Sequence, residues 1–200
     1  MKRAHFLLEI ILVIVLMGFL YSVFVPKAKN NKLEELTQRV TLYLSYLRYQ
    51  AMVDDKYDEE SPLWHKQRWT MKFFRCKQSV GGIYFTIYSE ENVTGHPNQK
   101  ESLKDPLTNK YIYNNNSCSD NNENSKYTLL SKYYDVESVQ VSCNSTDSLG
   151  QISFGSDGKI YSRISDAVLY EITKPCTIRF ISKNKEYKEM KIQAKTGFVE

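Results

Sequence analysis

The amino-acid sequence predicts an α+β protein in which a long N-terminal helix packs against a head built from an antiparallel β-sheet. Residues 6–25 are apolar almost without break, which indicates a first helix. Apolar residues then recur every three or four positions until about Asp54, and beyond Pro62 they alternate with polar residues. The length of 200 residues suits one modest domain with an appendage.

The first apolar segment has the length of a membrane-spanning helix. A helix from Phe6 to Val25 would extend over roughly 30 Å, the thickness of the hydrocarbon layer. Lys2 and Arg3 precede it, which favours a cytoplasmic N-terminus, and no signal-peptidase site follows it. Glu9 lies inside this segment at a cost of a few kcal/mol in a membrane, which indicates a function or a partner for the carboxylate.

The start of the chain carries a recognisable motif. The segment AHFLLE, which ends at Glu9, resembles the cleavage motif of type IV prepilins and pseudopilins. That family is cut after a small residue and keeps a glutamate fifth in the mature chain, which corresponds here to a cut after Ala4. Gly18 and Pro26, which both weaken a helix, also stand where the family keeps a glycine and a proline. The chain departs from the family in having Ala4 in place of glycine and His5 in place of phenylalanine or methionine.

The resemblance implies a pilin-like fold and a maturation step. Residues 1–4 would be a leader that a prepilin peptidase removes, after which His5 would be N-methylated. Residues 5–26 would form the transmembrane and filament-core helix. In a filament, the new amine of His5 would pair with Glu9 of a neighbouring subunit, because a buried carboxylate is less unfavourable when it is paired.

The same resemblance implies a function and a location. It predicts a minor pseudopilin, a structural subunit of a periplasmic pseudopilus in a type II secretion-like system. The expected partners are other pseudopilins or pilins, the prepilin peptidase, an assembly platform in the inner membrane, and that membrane itself. The expected location is the bacterial inner membrane, crossed once, with the head in the periplasm.

An amphipathic helix is predicted over residues 27–60. The acidic run from Asp54 to Glu60, followed by Pro62, would end it. Such a run could bind a hard cation such as calcium, but a solvated helix end is the favoured interpretation, and no metal site is predicted. The apolar stripe of this helix consists of Leu33, Leu36, Val40, Leu44, Leu47 and Ala51.

Residues 61–200 are predicted to form the β-rich head. Asp157-Gly158 indicates a hairpin turn, and residues 90–126 are rich in polar residues and indicate a long insert. Leu103, Leu107 and Ile112 would pin that insert to the head. Strands with one buried face are predicted around residues 69–73, 83–87, 139–143, 152–154, 178–180 and 190–194.

The four cysteines indicate disulfides. None lies in a CxxC pair or beside histidines at zinc-ligand spacing, which argues against a metal site. Two disulfides fit an exported domain, and four buried thiols in a reducing compartment are the alternative. Three pairings are open, among which we favour Cys76–Cys118 and Cys143–Cys176, because the second would tie two strand ends near the predicted hairpin.

No catalytic motif accompanies these elements. The three histidines, His5, His65 and His96, are scattered, and neither a nucleophile elbow nor a phosphate-binding loop occurs. The sequence therefore predicts a protein that is not an enzyme, with no catalytic residue and no cofactor.

A DNA-binding minor pilin of a competence or DNA-uptake machine is the alternative function. Residues 152–158, 176–180 and 195–199 resemble the last strands of H-type minor pseudopilins and of T-type fimbrial minor pilins. From Lys174 to Glu200 there are seven basic and three acidic residues. A basic stripe binds phosphates without regard to sequence, although it also serves as a solubilising surface. The candidate DNA-binding residues, expected to point outward, are Arg179, Lys191 and Lys195.

A short motif in the insert resembles the bacterial N-glycosylation acceptor. Asn92 begins an N-x-T triplet, and Glu90 lies two positions before it. Asn92 is therefore a candidate glycosylation site.

The processing motif yields a first prediction. We expect cleavage between Ala4 and His5 and methylation of the new amine. N-terminal sequencing and intact mass of the protein from its native cells should show a chain that begins at His5. A mature chain that begins at Met1, in cells with active prepilin peptidase, would contradict this prediction.

Overall fold

A computed structural model describes residues 2–24 and 31–200, which divide into two units. The first unit contains helix α1 (Lys2–Phe24), whose backbone runs without interruption through Gly18. The second unit begins at Lys32 and contains the head. Pro26, a predicted assembly residue, lies outside the described residues.

The structure corrects the predicted membrane segment. Within residues 2–24 and 31–200, no helix combines the length and the apolar character that crossing a membrane requires. The expectation of a transmembrane helix at 5–26 is therefore wrong. The expected location in the inner membrane, crossed once, is wrong for the same reason.

The amphipathic helix is present but shorter than the predicted range of 27–60. Helix α2 runs over Lys32–Val53, with Glu34 and Glu35 in its first turn, where the helix dipole favours acids. It ends because the acids that follow bond to the backbone of turns: Asp55 accepts from the Tyr57 N–H at 2.9 Å. All six residues of the predicted apolar stripe are buried.

The head contains seven antiparallel strands in two sheets. The strands are β1 (Trp69–Arg75), β2 (Ile83–Tyr88), β3 (Val136–Val141), β4 (Gln151–Phe154), β5 (Ile160–Tyr161), β6 (Cys176–Ser182) and β7 (Tyr187–Ile192). A short helix α3 (Leu130–Tyr133) precedes β3. In the first sheet the order is β2-β1-β4-β5, and in the second it is β3-β6-β7.

Helix α2 packs against both sheets, contacting β1 and β4 of the first and β6 and β7 of the second. The rings of Phe73 and Phe180, one from each sheet, meet edge to face with centroids 6.1 Å apart. The predicted hairpin is confirmed, since β4 and β5 pair with Phe154 opposite Ile160. The largest fully buried side chains include Leu36, Tyr43, Leu44, Leu47, Phe73, Phe85, Phe154 and Phe180.

The expectation of one buried face holds for β6, where buried and half-buried positions alternate, but it is wrong for β2 and β4, which are buried throughout. Residues of the insert cover β2 on its second side. The Thr86 hydroxyl lies 3.4 Å from the Asn114 backbone, and the Ile87 N–H donates to Ile112 at 3.0 Å. Tyr84, Thr86 and Tyr88, which alternate with the core residues of β2, are therefore buried as well.

The predicted insert at 90–126 is an irregular segment held at several points. Leu103 and Ile112 are buried as predicted, but Leu107 is 67% exposed, so its predicted role in pinning the insert is wrong. A buried carboxylate takes that role instead. Asp105 accepts hydrogen bonds from the Tyr43 hydroxyl of α2 at 2.7 Å and from the Ser125 hydroxyl at 3.2 Å.

The favoured disulfide pairing is confirmed. Cys76 follows β1 and joins Cys118 in the insert, with Cα atoms 5.7 Å apart. Cys143 follows β3 and joins Cys176 at the start of β6, with Cα atoms 5.3 Å apart. Each bond closes a loop of several tens of residues and stabilises the head by about 2–4 kcal/mol, chiefly through the unfolded chain.

The position of α2 yields a second prediction. Leu44→Ala should lower the free energy of unfolding by about 2–5 kcal/mol, because Leu44 is fully buried between helix and sheets. Leu42→Ala is the matched control, since Leu42 is on the same helix but 40% exposed; it should cost about 0.5 kcal/mol or less. Urea unfolding of the full-length protein measures both free energies, and equal effects would contradict the packing of α2 on the sheets.

Candidate functional site

The predicted DNA-binding residues lie on and beside the second sheet. Arg179 is in β6 between the buried residues Ile178 and Phe180, so its side chain faces away from the core. Lys191 is exposed in β7, opposite Thr177 of β6, and Lys195 is exposed after the end of β7. The structure therefore brings Arg179 and Lys191 to one sheet face, as predicted.

Two of these three cations are paired with acids. The Arg179 guanidinium donates to the Glu189 carboxylate at 3.0 Å from Nε and 2.8 Å from Nη2. Lys191 Nζ lies 4.0 Å from a carboxylate oxygen of Glu200, and the backbones of these two residues also pair. Exposed pairs of this kind add little stability, but they lower the positive charge offered to a phosphate.

Acids from distant parts of the chain neutralise further basic residues of this region. Lys185 pairs with Glu137 of β3 at 2.5 Å, and Lys188 pairs with Glu34 of α2 at 2.7 Å. The local excess of basic residues counted along the sequence therefore overstates the charge of the surface. Glu34 and Glu137 could not be found from sequence, because they are far from the C-terminal strands along the chain.

Residues 64–69 combine basic and aromatic side chains (WHKQRW), a composition that could bind single-stranded nucleic acid. In the structure these side chains form internal contacts. Arg68 is 4% exposed, and its guanidinium carbon lies 3.6 Å from the centroid of the Tyr161 ring. Its Nη2 donates to the Ala167 carbonyl at 2.7 Å, and burial lowers the pKa of Arg68. Trp69 donates from Nε1 to Asp54 at 2.9 Å. These side chains stabilise the head and do not form an open platform for bases.

The histidines and the acidic run do not come together. His65 is buried and its pKa is lowered, chiefly by burial, whereas His96 is exposed in the insert. Asp54 pairs with Lys56 at 2.7 Å in addition to accepting from Trp69. Among the residues that the structure describes, no group of three or more His, Cys, Asp or Glu side chains is arranged to hold a metal ion.

The candidate assembly residues are in helix α1. The backbone of Ala4 and His5, the predicted cleavage pair, is helical, and Glu9 is exposed. The apolar residues that follow are exposed as well: each side chain from Ile10 to Met17 has 44–67% of its surface accessible.

Asn92, the candidate glycosylation residue, is exposed in the insert. Its side-chain oxygen accepts from the Thr94 N–H at 3.1 Å and lies 2.8 Å from the Thr94 hydroxyl. Modification of Asn92 stays a prediction from the sequence.

Comparisons with known proteins return nothing: no family model matches the chain, and neither the curated proteins nor the solved structures contain a match. The resemblance of the N-terminal segment to prepilins thus remains a prediction that stands on the sequence motif.

The ion pairs of the second sheet yield a third prediction. We expect the full-length protein to bind DNA weakly, and Glu189→Gln to strengthen that binding at low salt by releasing Arg179 to phosphates. Replacing Arg179, Lys191 and Lys195 together by Gln serves as the control and should remove whatever binding exists. Tight, salt-sensitive binding of DNA by the unmodified protein, lost in the triple variant, would instead establish a DNA-binding face.

Proposed function

We propose that this protein is a structural filament subunit of the pilin and pseudopilin class, with helix α1 as its assembly element. The observation that carries the proposal is the exposed apolar surface of α1, from Ile10 to Met17. Successive residues of a helix point about 100° apart, so eight consecutive apolar positions cover all of its sides. A helix that is apolar all round requires cover on every side.

Other copies of the same kind of helix are the occupants that fit this surface. A single partner groove would cover one face of α1 and leave the other faces in water, whereas a bundle of several α1 helices covers them all. The contacts would be those of apolar side chains interdigitating between neighbouring helices.

Glu9 supplies the register in such a bundle. It is the charged residue directly before the exposed apolar residues of α1. Burying it between helices is unfavourable unless a cation meets it. Cleavage after Ala4 would create that cation, since the new amine at His5 lies within reach of a neighbouring Glu9 when the helices are staggered.

The head would be the folded domain that the subunit displays on the outside of the filament. It has its own core around α2, with two antiparallel sheets and two disulfides. This is the coarse architecture that the prepilin resemblance implies, an N-terminal helix followed by a helix-on-sheet head. Within the class, the resemblance of the last strands favours a minor pseudopilin of a type II secretion-like system. The ion pairs of Arg179 and Lys191 do not favour the alternative of a DNA-binding minor pilin.

A fourth prediction tests the assembly role of α1. Replacing Leu12 and Leu16 together by Lys should abolish association between subunits, because two charges would enter one face of the helix bundle. Leu42→Lys is the matched control, since it places the same charge on an exposed leucine of α2. Cross-linking and co-purification of two differently tagged full-length copies, expressed with the other pilin-class subunits of the same cell, measure the association.

Two results would contradict the proposed assembly role of α1. Association that survives the double substitution would overturn the proposal, as would equal loss in the Leu42→Lys control. Glu9→Gln should weaken association without abolishing it, because it keeps the apolar contacts and removes only the pairing with the amine.

A further inference from the structure

The first sheet carries a recess of about 360 Å³ on the face turned away from α2. Lys72 of β1 and Gln151 of β4 stand directly opposite each other in its floor. The neighbours of Lys72 in β1, Met71 and Phe73, are fully buried in the core. Lys72 therefore lies on the opposite face of the sheet. Tyr88 completes the floor, and the walls are formed by residues 93–95, 146–148 and 163–165.

Three cations line this recess, and they differ from those of the second sheet in lacking acidic partners. Lys66, Lys72 and Arg163 form no ion pair within residues 2–24 and 31–200. Burial lowers the pKa of Lys72, an effect that the nearby charge of Glu90 opposes. A partly desolvated cation without a counter-ion is unfavourable by itself, and an arriving anion would relieve that cost.

Glu90 does not serve as that counter-ion because it is committed to the wall of the recess. It is 2% exposed, and its Oε1 accepts from the Thr94 hydroxyl at 3.0 Å, the Gly95 N–H at 2.5 Å and the His96 N–H at 2.8 Å. These bonds fold the start of the insert into a loop beside the sheet. The carboxylate thus shapes the recess and leaves Lys72 unpaired.

Gln151 provides a second, independent observation. It is 3% exposed and lines the recess, yet its amide nitrogen has no hydrogen-bond acceptor in the part of the chain that the structure describes. A buried amide donor without an acceptor costs free energy, so such a group is rare unless a ligand or water completes it. An oxygen atom placed over the floor would meet both Gln151 and Lys72.

We propose that this recess binds a small hydroxylated carboxylate, with the chemistry of a uronic acid. The carboxylate would lie between Lys72 and Arg163 and accept from the Gln151 amide. The carboxylate of Asp147, at the rim, can accept from the hydroxyl groups of a sugar ring. The Thr146 hydroxyl donates to Asn144 at 2.7 Å and lies 2.7 Å from the Ser148 hydroxyl, so these two oxygens would serve the ligand only as acceptors. A phosphate dianion fits less well, because Asp147 and Glu90 would repel its second charge.

The size of the recess agrees with this ligand class, since small-molecule sites generally have volumes of about 300–1,000 Å³. The assignment does not depend on the proposed assembly role of α1, because every residue involved belongs to the head. It would give the head a recognition function of its own.

The test is calorimetric titration of the full-length protein with galacturonate and glucuronate, and with glucose and inorganic phosphate as comparison ligands. We expect at least one uronate to bind about tenfold or more tightly than glucose and phosphate. Arg163→Gln, at an exposed position, and Lys72→Gln should each weaken that binding about tenfold. Lys77→Gln removes an exposed lysine outside the recess and should leave binding unchanged.

Thermal unfolding of each variant shows whether it is folded, and Lys72→Gln should not lower the midpoint, because it removes an unpaired, partly buried charge. No heat of binding for either uronate at concentrations of about 20 mM would overturn the proposal, since specific sites usually bind below this range. Equal binding of glucose or phosphate would overturn the assignment of the ligand class. Binding that survives both Arg163→Gln and Lys72→Gln would place the ligand elsewhere and overturn the site.

Discussion

The head depends on one packing constraint, the burial of the apolar face of α2 between two separate sheets. The sheets share no strand-to-strand ladder. One hydrogen-bonded bridge joins them, since the Ser131 hydroxyl accepts from the Ile83 N–H of β2 at 2.9 Å and donates to the Val136 carbonyl of β3 at 2.6 Å. Leu36, Val40, Leu44 and Leu47 are fully buried, and they form the apolar layer through which α2 packs on both sheets. The contact of Phe73 with Phe180 closes the remaining gap between the sheets. Removing that layer would expose the inner faces of both sheets to water.

The insert is held in place by polar and covalent contacts rather than by regular secondary structure. Asp105, with no exposed surface, accepts from Tyr43 of α2, and the Cys76–Cys118 bond ties the insert to the end of β1. A buried carboxylate is tolerated there because hydrogen bonds meet it. The anchored insert then covers β2, and its first residues, folded around Glu90, form one wall of the recess.

The two sheets of the head differ in whether their cations have acidic partners. On the second sheet, cations such as Arg179 and Lys185 meet acids, so that face carries less positive charge than its basic sequence indicates. At the recess of the first sheet, Lys72 and Arg163 form no ion pair within the described residues. An anionic ligand is therefore expected at the first sheet, because a cation that already has a counter-ion gains little from a second anion.

Of the three disulfide pairings that the sequence left open, the structure selects Cys76–Cys118 and Cys143–Cys176. The sequence by itself determined the α+β class, the buried stripe of α2 and the hairpin at Asp157-Gly158. These features depend on periodicity, turn chemistry and spacing, which are local properties of a chain. Tertiary structure alone decided the burial of β2 on both faces, the anchoring role of Asp105 and the exposure of Leu107. It also decided that α1 is not a membrane-spanning helix, against the expectation from its apolar run. Tertiary structure alone likewise decided that Arg179 pairs with Glu189 and that Lys72 has no ion pair. Each depends on which distant side chains approach through space, and the pattern of neighbours along a chain does not contain that information.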